Sequence, residues 1–119
     1  MQPSKVLVID DSKLVHRMFN VLMPRASQVY ALDGREALDR LAEHPDVDLI
    51  ILDINMPRMN GLEFLREVKA DSTLAKIPVV IISTEGKEED TIRGLQAGAA
   101  AYVRKPFRQE TILEIVSRV

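Results

Sequence analysis

Three acids, a hydroxyl and an amine stand at the ends of apolar runs in this 119-residue chain. Asp10 and Asp11 follow Val6-Leu7-Val8-Ile9, and Asp53 follows Leu49-Ile50-Ile51-Leu52. Ser83 and Thr84 follow Val79-Val80-Ile81-Ile82, and Lys105-Pro106 follows Ala101-Tyr102-Val103-Arg104. If these runs are strands of a parallel sheet, their carboxyl ends share one edge, and ligands bind in the crevice outside it. Two adjacent carboxylates with a third across the edge would concentrate negative charge there, which a divalent cation relieves. Magnesium takes oxygen ligands and is typically held by one or two carboxylates plus a phosphoryl oxygen. Asp11 and Asp53 are candidate direct ligands, with Asp10 nearby or acting through water. Lys105 supplies a positive charge for one carboxylate and then for a transferred phosphoryl group, and Ser83 a hydroxyl donor for a phosphoryl oxygen. Phosphoryl transfer needs charge compensation and alignment more than elaborate covalent chemistry, so this set suffices. Asp53 is the candidate nucleophile, because it alone ends the central and most apolar run.

Each residue also has an ordinary structural reading. Asp11 could cap a helix, Asp53 could be a cap or turn residue, and Ser83 or Thr84 a cap or loop hydroxyl. Lys105 alone would be a surface lysine, and Pro106 a strand stop. What favours chemistry is the conjunction, in order, at four strand ends.

The elements that must position these groups are legible from periodicity. Strand-like runs near 5–10, 28–32, 48–53, 78–83 and 101–104 alternate with helical spacings, a five-fold βα pattern. Leu14, Val15, Met18, Phe19 and Leu22 mark the first helix, with Pro24 near its end. Ala37, Leu38, Leu41 and Ala42 mark the second, which follows Asp33-Gly34 and stops by Pro45. Leu62, Leu65 and Val68 mark the third, opened by Asn60-Gly61. The fourth is expected from about Lys87 to Ala97, closed by Gly98, and the fifth carries Ile112, Leu113, Ile115 and Val116. Strands one, three and four are apolar on both faces, as in a sheet covered by helices on both sides. The expected fold is an α/β doubly wound five-stranded parallel sheet joined by right-handed crossovers, one domain over residues 1–119.

Composition narrows the function. With 16 basic against 18 acidic residues and net charge −2, no chain-wide positive field exists to hold a phosphate backbone, which argues against nucleic acid. The absence of cysteine excludes disulfides and thiolate metal sites. The first strand-like run is far shorter than the ~20 residues of a membrane span, and the start lacks the features of a signal peptide. The expectation is a soluble cytoplasmic protein. His16 reads as a surface residue of the first helix and His44 as a helix-end residue, while Arg93, Arg104, Arg108 and Lys105 read as a solvated face.

Taken together, Asp10-Asp11, the segment Asp53-Ile54-Asn55-Met56-Pro57 with Gly61, Ser83, Gln96-Ala97-Gly98-Ala99 and Lys105-Pro106-Phe107 resemble the receiver domains of two-component response regulators, specifically the single-domain CheY-like type. The resemblance covers essentially the whole chain. It implies a flavodoxin-like (βα)5 fold with strand order 2-1-3-4-5, and a phosphoryl group passing to Asp53 from a histidine kinase, a phosphotransfer domain or a small donor such as acetyl phosphate. Magnesium, for which manganese may substitute, would sit on Asp11, Asp53 and the backbone carbonyl of Asn55, supported by Asp10. Phosphorylated Asp53 would draw Ser83 toward it, and Tyr102 would turn inward. The face of helix four, strand five and helix five would then change its affinity for an output protein. The resemblance further implies a cis Lys105-Pro106 bond and a first helix that receives kinases and any phosphatase. Asn55 and Glu85 would flank the water that ends the phosphoryl lifetime. Thr84, where the family usually has alanine or glycine, could crowd donor and water alike.

Competing classes fit less well. A haloacid-dehalogenase-type hydrolase wants a second aspartate two residues after the nucleophile, where this chain has Asn55. A flavodoxin-like cofactor carrier wants a first loop rich in Ser, Thr and Gly, where Asp10-Asp11 would repel a phosphate. A non-phosphorylated interaction module usually lacks one of the acids or the lysine. The receiver portion of a longer regulator remains open beside the stand-alone protein.

Overall fold

The computed structural model describes residues 2–54, 61–83 and 88–119. In chain order the elements are β1 (Lys5–Ile9), α1 (Lys13–Leu22), β2 (Ser27–Ala31), α2 (Gly34–Glu43), β3 (Leu49–Asp53), α3 (Gly61–Ala70), a single 3₁₀ turn (Leu74–Lys76), β4 (Val79–Ser83), α4 (Glu88–Gln96), β5 (Ala101–Arg104) and α5 (Gln109–Arg118). The five strands form one parallel sheet in the order β2-β1-β3-β4-β5. The strands shift by a residue or so at their ends from the expected spans, and helix four runs Glu88–Gln96.

The strand sequences explain the layering. In β3 and β4 every residue is buried, so both faces of the central strands need cover. Leu7, Ile9, Ile50, Leu52, Val79 and Ile81 face the side covered by α2 and α3. Val6, Val8, Leu49, Ile51, Val80 and Ile82 face α1 and α5, through Val15 and Phe19 of the former and Ile112 and Val116 of the latter.

Three expectations about side chains are corrected. His16 is buried at 7% exposure, its ring stacked on Tyr30 with centroids 4.8 Å apart. The reason is positional: residues 16, 19 and 23 fall at helical spacing, so His16 shares the face of Phe19 and Met23. Leu14, counted with the apolar stripe, is instead 64% exposed. Lys105 does not belong to a solvated face. Arg93, Arg104 and Arg108 are exposed there, the first two paired with Glu89 and Glu88 at 2.8 and 3.1 Å. His44 closes α2 as expected, its N–H donating to the carbonyl of Arg40.

The helix ends carry their own chemistry. Ser12, not Asp11, caps α1, its hydroxyl accepting from the N–H of Val15, and the Asp33 carboxylate caps α2 by accepting from Glu36. At the end of α4, the N–H of Gly98 donates to Leu95 and that of Ala99 to Gly94. This is the reciprocal closure of a Schellman motif, with Gly98 at φ 114° as its left-handed residue. The peptide bond between Lys105 and Pro106 is cis.

Candidate functional site

The register of the sheet assembles the site. Ile9 pairs with Leu52, so the next residue on each strand, Asp10 and Asp53, emerge side by side. The ladder continues past both: the N–H of Asp10 donates to Ala31 at 3.0 Å, and that of Ile54 to Ile82 at 3.3 Å. Both carboxylates are thereby fixed by backbone bonds at the mouth of the core. Asp10 is fully buried and Asp53 4% exposed, whereas Asp11 faces solvent. One oxygen from each of the three acids lies within 4.8 Å of the others.

Lys105 reaches this cluster from the end of β5. Its Nζ donates to Asp10 Oδ2 at 2.9 Å and to Asp53 Oδ2 at 3.5 Å, so it pairs with two carboxylates where one was anticipated. Burial alone pulls the ammonium's pKa down. The hydrogen bond to Asp10 and the charges of Asp53 and Asp10 together outweigh burial, and the pKa lies above the ordinary lysine value. Asp10 is further held by the N–H of Ser12, which donates to its Oδ1 at 2.9 Å. Both oxygens of Asp10 are therefore engaged, which suits a supporting role more than a direct one. Asp11 is not the cap of α1 and is exposed to solvent.

Aspartates elsewhere in the molecule show what an ordinary placement looks like. At the opposite end of the sheet, Asp48 accepts from the N–H groups of Ser4 and Lys5 at 2.8 and 3.1 Å. Asp71 likewise accepts from Thr73 and Leu74. Those carboxylates close turns and strand starts, while at the carboxyl edge three acids converge and one ammonium bonds two of them. The donor set is hard oxygen with excess negative charge, the chemistry a magnesium ion matches.

Ser83 ends β4, buried, and its carbonyl accepts from the N–H of Lys105. It opens onto a groove of about 300 Å³ between α4 and β5, lined also by Thr91, Ile92, Leu95 and Tyr102. Tyr102 stands on the outer side of this groove, 47% exposed. A larger groove of about 400 Å³ lies between the carboxyl ends of α1 and α5, around Leu22, Met23, Pro24 and Leu113. Its lining brings no acids together, so volume and chemistry point to different places, and the chemistry is the better guide. Asn55, Thr84 and Glu85 lie outside the described residues. Thr91 went unremarked in the sequence. It is buried, on the sheet-facing side of α4, and a threonine in a charged helical stretch gives no periodic signal.

An open doubly wound sheet with an acidic, lysine-bearing crevice at its carboxyl edge defines the class of protein. The chain belongs to the response regulator receiver domain family, whose profile matches residues 6–117. Chemotaxis protein CheY1 of Helicobacter pylori is 36% identical over 113 residues, covering 92% of this chain and 91% of that protein. Two-component response regulator ORR11 of Oryza sativa is 40% identical over 119 residues, covering 98% and 81%. Among solved structures, the chemotaxis protein CheY4 of Vibrio cholerae superposes with a TM-score of 0.87 at 36% identity, covering 98% of each chain. The chain is thus a CheY-like receiver with the expected strand order. Among the described residues no helix is long and apolar enough to cross a membrane.

Proposed function

We propose that this chain is a single cytoplasmic receiver domain over residues 1–119 that accepts a phosphoryl group on Asp53 and signals through the face of α4, β5 and α5. The observation that carries this reading is the convergence of Asp10, Asp11 and Asp53 within 4.8 Å, with Lys105 bonded to two of them. A carboxylate oxygen of Asp53 attacks the phosphorus of a phosphohistidine or of acetyl phosphate. The bond from phosphorus to the donor breaks, the donor leaves with its electron pair, and an acyl phosphate forms on Asp53. Asp11 and Asp53, with the carbonyl of Asn55, would hold a magnesium ion, and Asp10 would support it. When bound, the ion supplies charge neutralisation for the phosphoryl oxygens; manganese would serve the same donors.

Lys105 then exchanges part of its bond to Asp53 for a bond to a phosphoryl oxygen, and the Ser83 hydroxyl donates to another. Movement at Ser83 reaches the groove that it shares with Tyr102, whose ring turns inward and reshapes the output face. Asn55, Glu85 and Thr84 set the rate at which water ends the state. The partners are a histidine kinase or phosphotransfer domain, an output protein on the α4, β5 and α5 face, and a phosphatase. The domain promotes its own phosphorylation and dephosphorylation without turning over a separate substrate.

The test is intact mass after incubation with acetyl phosphate and magnesium. One added phosphoryl group, absent in Asp53→Asn and in EDTA, is expected; uptake that survives Asp53→Asn would move the acceptor elsewhere.

A further inference from the structure

α4 rests on the sheet by unusual means. Its only buried residues are Thr91 and Gly94, while its large apolar side chains, Ile92 and Leu95, point outward at 55% and 37% exposure. Glycine weakens a helix interior relative to alanine, so its place here needs a packing reason. The reason is the closeness of β4: a Cβ on Gly94 would collide with Cδ1 of Ile81, and Cδ1 of Ile54 would be 3.6 Å from it. Cδ1 is the free end of the Ile81 side chain, but that side chain is enclosed in the core, so a new Cβ is accommodated by a turn of Ile81 together with a displacement of α4.

Ile54 links this seat to the acids. It directly follows Asp53 and is 4% exposed. Its carbonyl accepts from the N–H of Gly61 at 3.0 Å. A Cβ on Gly61 would stand 2.6 Å from Ile54 Cα and 2.9 Å from the Asp53 carbonyl oxygen. Two glycines therefore hold the residue after Asp53 between the start of α3 and the middle of α4.

We propose that Gly94 is a positioning residue: by letting α4 sit down on Ile81 and Ile54 it keeps the groove between α4 and β5 narrow, and so holds the Asp53 site toward its resting form. This rests on the reading of Asp53 as phosphoacceptor. A side chain at position 94 lifts α4 and widens the groove lined by Ser83, Thr91 and Tyr102. The form with Tyr102 turned inward gains room. Coupling between sites is reciprocal, so whatever favours that form tightens the binding of a phosphoryl mimic at Asp53.

The experiment titrates the full chain with beryllofluoride in saturating magnesium, following tyrosine fluorescence, in the parent, Gly94→Ala, Ile81→Val and the double variant. Magnesium affinity is measured alone in all four. Gly94→Ala is expected to bind beryllofluoride about fivefold more tightly with magnesium affinity unchanged. Ile81→Val, which removes the methyl group in the way, should reverse that gain in the double variant. A Gly94→Ala affinity equal to or weaker than the parent's overturns the proposal. So does a gain that Ile81→Val leaves intact, or one matched by magnesium affinity, which would report a distorted acid cluster. A parent indifferent to beryllofluoride refutes the reading of Asp53 itself, a result distinct from all of these.

Discussion

α3 and α4 are of nearly equal length and cover the same face of the sheet, yet they are anchored by opposite means. α3 drives Phe64, Leu65 and Val68 into the core at 0% exposure. α4 sets down a threonine and a glycine. Each fully buried large apolar side chain contributes about 1.5–3 kcal/mol, so α3 is fastened by several kcal/mol that α4 lacks. The difference has a functional logic. α3 begins at Gly61, pressed against the backbone of Asp53 and Ile54, and under the proposed function an acceptor carboxylate at Asp53 needs a rigid wall behind it. α4 borders the groove of Ser83 and Tyr102, and the proposed switch would draw its moving element from the weakly held part of the molecule.

The comparison breaks most easily at its stable side. Phe64→Ala should lower the unfolding free energy by about 3–5 kcal/mol, read from a denaturant titration, a large share of the roughly 5–15 kcal/mol available to a domain. A loss under about 1 kcal/mol would mean that α3 is not the anchor described. Native-state hydrogen exchange sharpens the contrast directly. Amides of α3 should exchange at least about tenfold more slowly than those of α4, a gap of roughly 1.4 kcal/mol. Equal protection would show that the buried apolar set does not govern opening.

Alkaline titration separates the strand beside α4 from the rest. The Lys105 pKa is raised in the folded state, so its contribution is complete below the ordinary lysine value of about 10.5 and fades as pH climbs through the higher folded value. Thermal melts between about pH 9.5 and 11.5 should therefore fall less steeply in Lys105→Met than in the parent. Tyr30, also raised, by burial, leaves a residual slope in both. The smallest effect belongs to the exposed face of α4. Ile92→Ser should change stability by no more than about 0.5 kcal/mol, while weakening the proposed output contact, as a binding titration would show.

The acid cluster was legible because strand ends announce themselves: an uninterrupted apolar run followed by a charge is visible without coordinates, and parallel topology does the rest. Strand order and the cis bond before Pro106 came with the resemblance, and both appear in the structure. Less was readable where a face is not apolar. His16 shares the buried face of Phe19, but imidazole carries no hydrophobic signal, so its stacking on Tyr30 was missed. Asp11 read as readily as a cap, since Asp and Ser serve equally at that position; only hydrogen-bond geometry shows that Ser12 does the capping. The seat of α4 was invisible for the same reason. A threonine and a glycine three residues apart form no stripe, and the outward Ile92 and Leu95 suggest the wrong face.

The central claim is that Asp53 becomes the acyl phosphate. Borohydride reduces an acyl phosphate to an alcohol, so treating the chain with acetyl phosphate and magnesium, reducing it and mapping its peptides would mark the acceptor as homoserine. The account predicts homoserine at position 53 alone, and none without magnesium. Homoserine at Asp10 or Asp11, or a phosphoryl adduct with Asp53 unreduced, would contradict it.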